Sequence, residues 1–228
     1  MYTDVLVDPS FFRFLSTCDA DLAEGVRTAG CSRCPGRLHR ANYPRKPRGG
    51  PEAIASEPTY RHSFCCDQEG CRRRVTPPSV RFLGRRVYFA VVVLLFSVLE
   101  SGPSRTKARV LKGAVGVSVR TLRRWRRWWQ SIFPRTRFWI AARARLILPV
   151  EENDLPGALL DRFCRKEGDP PEAAERMTTD FPERLSLLLR WLSPLSISTP
   201  LSLAHAGGLG ARPKPPQRMP DARSEATS

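Results

Sequence analysis

The chain has 228 residues, with 38 Lys+Arg against 22 Asp+Glu, a formal charge of +16 and a sequence pI near 10.6. At 41% hydrophobic and 26% charged residues it is able to build a core, which excludes global disorder, and its length allows one or two domains. The positive balance makes a polyanion the expected partner and argues against a small-molecule enzyme of ordinary charge.

In chain order, residues 1–28 form an acidic helical segment with Pro9 near its start and Phe11, Phe12, Leu15 and Leu22 as an apolar face. Residues 29–84 are cysteine-bearing, basic and poor in apolar residues. Within them Asn42 to Glu57 reads as an exposed Pro/Gly/Arg-rich loop, Thr59 to Cys65 as a short strand and Thr76 to Pro78 as a turn. Residues 85–149 open with an apolar run, Tyr88 to Leu99, expected as a buried helix although its valines also suit a strand. Two helices around Gly113 to Val117 and an aromatic, basic helix over Phe138 to Leu148 follow. Residues 150–192 are an acidic helical extension ending in an amphipathic helix, Leu185 to Leu192. Residues 193–228, rich in Pro, Ser, Gly and Ala, are expected to be disordered. The expected fold class is mainly α with a small β zinc ribbon, a helix-turn-helix three-helix core and a disordered C-terminal tail.

The charge is concentrated. Between Cys31 and Pro149 there are 26 basic and 5 acidic side chains, and between Ser101 and Val150 there is no carboxylate side chain. Solvated faces mix signs, so a one-sign stretch points to an anionic surface. The apolar run of about twelve residues is short of the roughly twenty needed to span a bilayer. The N-terminus lacks the basic-then-apolar pattern of a secretory signal. A cytoplasmic, nucleoid-associated protein without a membrane partner is expected. Reduced thiols there serve as metal ligands or packing groups.

Cys31-Ser32-Arg33-Cys34 is one close pair, and Cys65-Cys66-Asp67-Gln68-Glu69-Gly70-Cys71 holds the second group. Two thiolate pairs on separate turns close a tetrahedron around Zn²⁺ at about 2.3 Å per bond. The expected ligands are Cys31, Cys34, Cys66 and Cys71. Cys65 is the alternative to Cys66, because only one of two strand neighbours faces the metal. His39 and His62 are reserve ligands, and Cys18 and Cys164 are assigned to packing. A core this thin needs a metal to fold, so the zinc is expected to be structural, with no open position for water.

Residues 105–132 read RTKARVLKGAVGVSVRTLRRWRRWWQSI. Val110, Leu111 and Ala114 mark a first helix, Gly116 a turn where positive φ costs little, and Ser118 a cap for the next helix. Thr121, Leu122, Trp125, Trp129 and Ile132 recur at helical spacing as its inner face. Arg120, Arg123, Arg124, Arg126 and Arg127 are left facing outward. With Ser118 and Thr121 they are the candidate DNA-binding residues, since a guanidinium fork fits guanine O6 and N7 or a phosphate. Trp128 and Trp139 are expected in the core, with base stacking as the alternative.

GVSVRTLRRW resembles the helix-turn-helix of bacterial transposases and of regulators carried by insertion sequences. The CxxC knuckle, FCCDQEGCRRRVTPPSVRFLGRRVY and this helix, in that order, are similar to zinc-ribbon transposase-associated proteins of bacterial mobile elements, over residues 29–145. The resemblance implies zinc on Cys31, Cys34, Cys66 and Cys71 and contact with double-stranded DNA by the helix starting at Ser118. It implies nothing for residues 1–28 or beyond Val150. A transposase proper needs three carboxylates holding two Mg²⁺ ions on a sheet. Asp154, Asp161 and Asp180 lie in Pro-rich or short helical sequence, so no catalytic residues are assigned. The expectation is a mobile-element DNA-binding protein. Its rivals are the DNA-binding subunit of a split transposase whose catalytic half is separately encoded, and an RNA-binding or protein-interaction zinc module.

Overall fold

Asp8 and Pro9 divide the N-terminal segment into two helices in the computed structural model, which describes residues 2–83, 87–101, 116–146, 149–164 and 180–198. Helix α1 spans Tyr2–Val7 and α2 spans Pro9–Ala29. Asp8 Oδ1 accepts the N–H of Ser10 at 2.8 Å, and Pro9 occupies the first helical position, where a missing N–H costs nothing. Phe11, Phe12 and Leu15 are buried and Leu22 packs partly buried against the same core, so the stripe expected from spacing faces inward.

Five short strands follow: β1 (Leu38–Arg40), β2 (Tyr43–Arg45), β3 (Thr59–Arg61), β4 (Phe64–Cys66) and β5 (Arg74–Val75). They form two antiparallel sheets, β1-β4-β5 and β2-β3. Two expectations are corrected here. The loop expected over Asn42 to Glu57 contains β2 and the short helix α3 (Glu52–Ala55), whose Ile54 is buried. The single strand expected over Thr59 to Cys65 is two strands. β3 pairs with β2, while β4 pairs with β1 and β5, and His62 and Ser63 carry the chain from one sheet to the other. Alternation in the sequence is the same on both sides of that break, so it gives no sign of the change of partner.

Helix α4 (Ala90–Ser101) is the centre of the larger core. Every residue from Ala90 to Phe96 is at most 1% exposed. A helix apolar on all sides must be surrounded. Phe89, at its start, meets Phe12 of α2 edge-on at 4.9 Å. The helix, not the strand, is realised over the valine run.

Helix α5 (Val119–Arg127) follows, then a π turn (Trp128–Ile132), a 3-10 turn (Phe133–Arg135) and α6 (Arg137–Arg143). The helix expected to run regularly to Ile132 therefore widens after Arg127. A π turn rotates less per residue than an α-helix. Consecutive Trp128 and Trp129 are both buried, their rings 4.7 Å apart. Trp139 is 1% exposed, so both tryptophans in question are core residues.

The acidic part contributes a 3-10 turn (Glu152–Asp154), α7 (Gly157–Cys164) and α8 (Phe181–Leu192). Helical order continues past Ser193 into α9 (Leu195–Ser198), with Leu195 buried. Trp191 of α8 stands edge-on to Phe138 at 4.9 Å. The main core therefore draws residues from Val5 to Leu195, while a small second cluster holds Ala23, Leu38, Phe64 and Cys66. Cys164 is buried and Cys18 partly buried against the main core, as packing groups. The chain is thus helix-rich with small antiparallel sheets.

Candidate metal centre and nucleic-acid interface

Gly30 ends α2 at φ 75°, and the chain turns at once into the first cysteine pair. The N–H of Cys31 donates to the carbonyl of Gly36 at 3.2 Å, closing the knuckle. Gly36 is obligatory there. A Cβ on it would stand 2.6 Å from Cys66 Sγ and 2.9 Å from Asp67 Oδ1. In β4, Phe64 and Cys66 face inward toward Leu38 and α2, so the intervening Cys65 turns to the other side. Its sulfur lies 3.6 Å from the Arg72 carbonyl, away from the other thiols.

The sulfurs of Cys31, Cys34, Cys66 and Cys71 all lie within 4.8 Å of one another, close enough to hold a metal ion. Cys31 Sγ is 3.8 Å from Cys71 Sγ, and Cys34 Sγ is 3.3 Å from Cys66 Sγ. A tetrahedron with bonds of about 2.3 Å has edges of about 3.8 Å, so the thiols stand near the spacing that a single ion imposes. Of the two neighbours left open by the sequence, Cys66 joins the cluster. His39 and His62 do not. His39 is exposed, with Nε2 3.3 Å from Asp67 Oδ2, and His62 is half-buried, its pKa lowered by burial.

The thiols differ in acidity. The backbone N–H of Arg33 beside its sulfur holds Cys31 down to about 7, while burial pushes Cys66 up to about 12. Without an ion the site therefore does not ionise as four thiolates near neutral pH. A bound cation supplies the charge that draws the remaining protons off.

Asp67 is a residue the sequence reading missed. Its Oδ1 accepts the N–H of Arg37 at 2.8 Å, tying the two cysteine loops together. An aspartate directly after a ligand cysteine was the available signal. Asp19 was missed as well. It is buried on α2 and accepts from Ser79 Oγ (2.6 Å), Val80 N (2.7 Å) and Arg81 Nε (2.8 Å). Arg61, also buried, donates to the carbonyl of Pro77 and to Ser196 Oγ of α9. This network joins α2, β3, the segment after β5 and the end of α9.

Helix α5 begins as its sequence indicates. Gly116 has φ 65°, and Ser118 caps the helix by accepting the N–H of Thr121 at 3.2 Å. Val117, Leu122, Trp125 and Trp129 are buried, and Trp125 meets Tyr88 edge-on at 5.0 Å. Arg120, Arg123, Arg124, Arg126 and Arg127 are all exposed, as is Ser118, and Thr121 is half-buried. Among the described residues no carboxylate pairs with these five arginines. Glu152, in the acidic part that follows α6, is engaged elsewhere. It accepts from Trp139 Nε1 at 2.8 Å and from Arg143 at 2.7 Å, bonds that hold its carboxyl below the usual range. The first helix expected on Val110, Leu111 and Ala114 lies outside the described residues. Among the described residues no helix is long and apolar enough to cross a membrane.

Fold and site together define a helix-rich chain with a four-cysteine cluster able to hold a metal ion and a separate arginine-faced helix. No protein-family model, no curated protein and no solved structure matches it.

Proposed function

We propose that this chain is a duplex-DNA-binding protein whose contacting element is α5, with a structural zinc ion on Cys31, Cys34, Cys66 and Cys71. The observation that carries the reading is the face of α5: five exposed arginines unopposed by any described carboxylate, over a backing of Leu122 and Trp125. Arg120, Arg123, Arg124 and Arg127 recur at intervals of three and four and so share one side of the helix, with Arg126 flanking them. A rigid helix with a one-sign guanidinium face has the width and charge for a major groove. Pairing of α5 with a preceding helix over Val110 to Ala114 as a helix-turn-helix belongs to this reading, as does the ribbon character of the cysteine module. A set of four thiol sulfurs within reach of one ion favours zinc in a closed structural site. The order of knuckle, basic segment and arginine helix extends the proposal to an accessory or regulatory protein of a mobile element.

The test is a salt titration of binding to duplex DNA by the full chain. If roughly five to eight phosphates are engaged, the log–log slope is about −5 to −7. Arg123→Ala with Arg127→Ala lowers that slope by about 2 while leaving stability within about 0.5 kcal/mol per exposed site. A flat salt dependence, or unchanged affinity of the double variant, refutes the assignment.

A further inference from the structure

The arginines that flank the cysteines are not absorbed by α5. Arg33 sits inside the Cys31–Cys34 knuckle, and Arg72 and Arg73 directly follow Cys71. Some forty residues of chain separate the two groups, yet Cys31 Sγ and Cys71 Sγ are 3.8 Å apart. Closing the thiol cluster therefore brings both groups to one end of the module. All three side chains are exposed, and among the described residues none pairs with a carboxylate.

Arg72 adds an independent indication. Its φ is 41°, in the left-handed region, which strains a residue with a Cβ and which glycine adopts freely. The preceding Gly70 shows the low-cost solution two residues away, at φ 82°. Strain of this kind clusters at functional sites, so it motivates a role for the Arg72 side chain. Charge neutralisation of the metal centre does not use it up. Zn²⁺ with four thiolates carries about −2, and Asp67 and Glu69 add two more negative charges. Against these stand Arg33, Arg37, Arg40, Arg72, Arg73 and Arg74, leaving a surplus of about two positive charges.

We propose that the cysteine end, through Arg33, Arg72 and Arg73, is a second phosphate-contacting surface for the duplex bound by α5, assembled by closure of the thiol cluster. The inference rests on the DNA-binding reading above. It gives the metal module a contact of its own in place of a purely structural part. Phosphate contacts position a duplex without reading its bases, so the contact adds affinity without sequence preference.

The experiment compares the full zinc-loaded chain, the Arg33→Ser/Arg72→Gly/Arg73→Ser variant and the α5 double variant on a mixed-sequence duplex across a salt series, with zinc content measured for each. Arg72→Gly suits the backbone, so the fold is retained. The expected result is a slope shallower by about 2–3 with zinc content unchanged, a loss separate from that of the α5 variant. An unchanged slope in the triple variant, beside salt-dependent binding by the native chain, overturns this inference alone. Loss of zinc from the triple variant assigns the arginines to balancing the thiolate charge and also overturns it. Absence of salt-dependent binding by the native chain removes both this inference and the DNA-binding reading.

Discussion

Replacing one sulfur of the cluster separates the metal module from the helical core. Cys66 is fully buried, 3.3 Å from Cys34 Sγ, whereas the neighbouring Cys65 points away to the Arg72 carbonyl. Cys66→Ser removes a sulfur of the cluster, and Cys65→Ser changes only a half-buried thiol outside it. The small cluster around the site has just Ala23, Leu38, Phe64 and Cys66 fully buried. Its two large apolar side chains contribute about 3–6 kcal/mol at ~1.5–3 kcal/mol each. A four-thiolate zinc supplies about 10–16 kcal/mol of folding free energy in small modules. On the proposed reading a zinc ion would be the larger contribution, and its loss would release β1, β4 and β5 together. The main core, built on α4 and some thirty other buried residues, does not depend on it. The assay is zinc content together with hydrogen exchange. Cys66→Ser is expected to lose the ion and the protection of Leu38–Arg40 and Phe64–Cys66 while α4 keeps its own. Cys65→Ser is expected to keep one zinc per chain and native protection. A Cys66→Ser protein with full zinc content, or a Cys65→Ser protein without it, refutes the ligand assignment. Loss of α4 protection along with that of the strands refutes the separation of the two cores.

Two further outcomes follow from the buried and half-buried carboxylates. Asp19→Ala leaves Arg81 buried without its carboxylate and strips acceptors from Ser79 and Val80, so chemical denaturation should show a loss of about 3–5 kcal/mol; a change below about 1 kcal/mol would mean that the network is not intact in solution. The carboxyl of Glu152 is held low by the Trp139 indole N–H and by Arg143, so its contribution is present above the ordinary carboxylate range and is lost as pH falls through its lowered value. Glu152→Gln should therefore be less stable than the native chain by at most about 1 kcal/mol near pH 7, and the gap should close as pH falls below the ordinary carboxylate range and through that lowered value; a gap that widens on acidification contradicts the sign.

Much of this molecule is written locally in the chain. The stripe Phe11, Phe12, Leu15 gives α2 its inner face, and the apolar run to Leu99, interrupted only by Ser97, requires an interior position, because apolar spacing and total apolarity need no knowledge of neighbours, although its valines left helix and strand both open. Gly116 and Ser118 fix where α5 begins, since positive φ and a hydroxyl cap act within a few residues. The close cysteine pair likewise announces a knuckle. The choice between Cys65 and Cys66 was different in kind. It depends on which face of β4 meets α2, and that is set by pairing with β1, a partner some twenty-five residues away. The division of Thr59 to Cys66 between two sheets, the inward turn of Asp19 toward Ser79 and Arg81, and the burial of both Trp128 and Trp129 through a π turn have the same origin. Short-range chemistry, caps, turns and periodicity, is carried by the sequence itself. Which buried charge finds a partner, and which of two adjacent thiols faces the cluster, is decided only when distant segments pack together, because those energies exist only between residues that folding brings into contact.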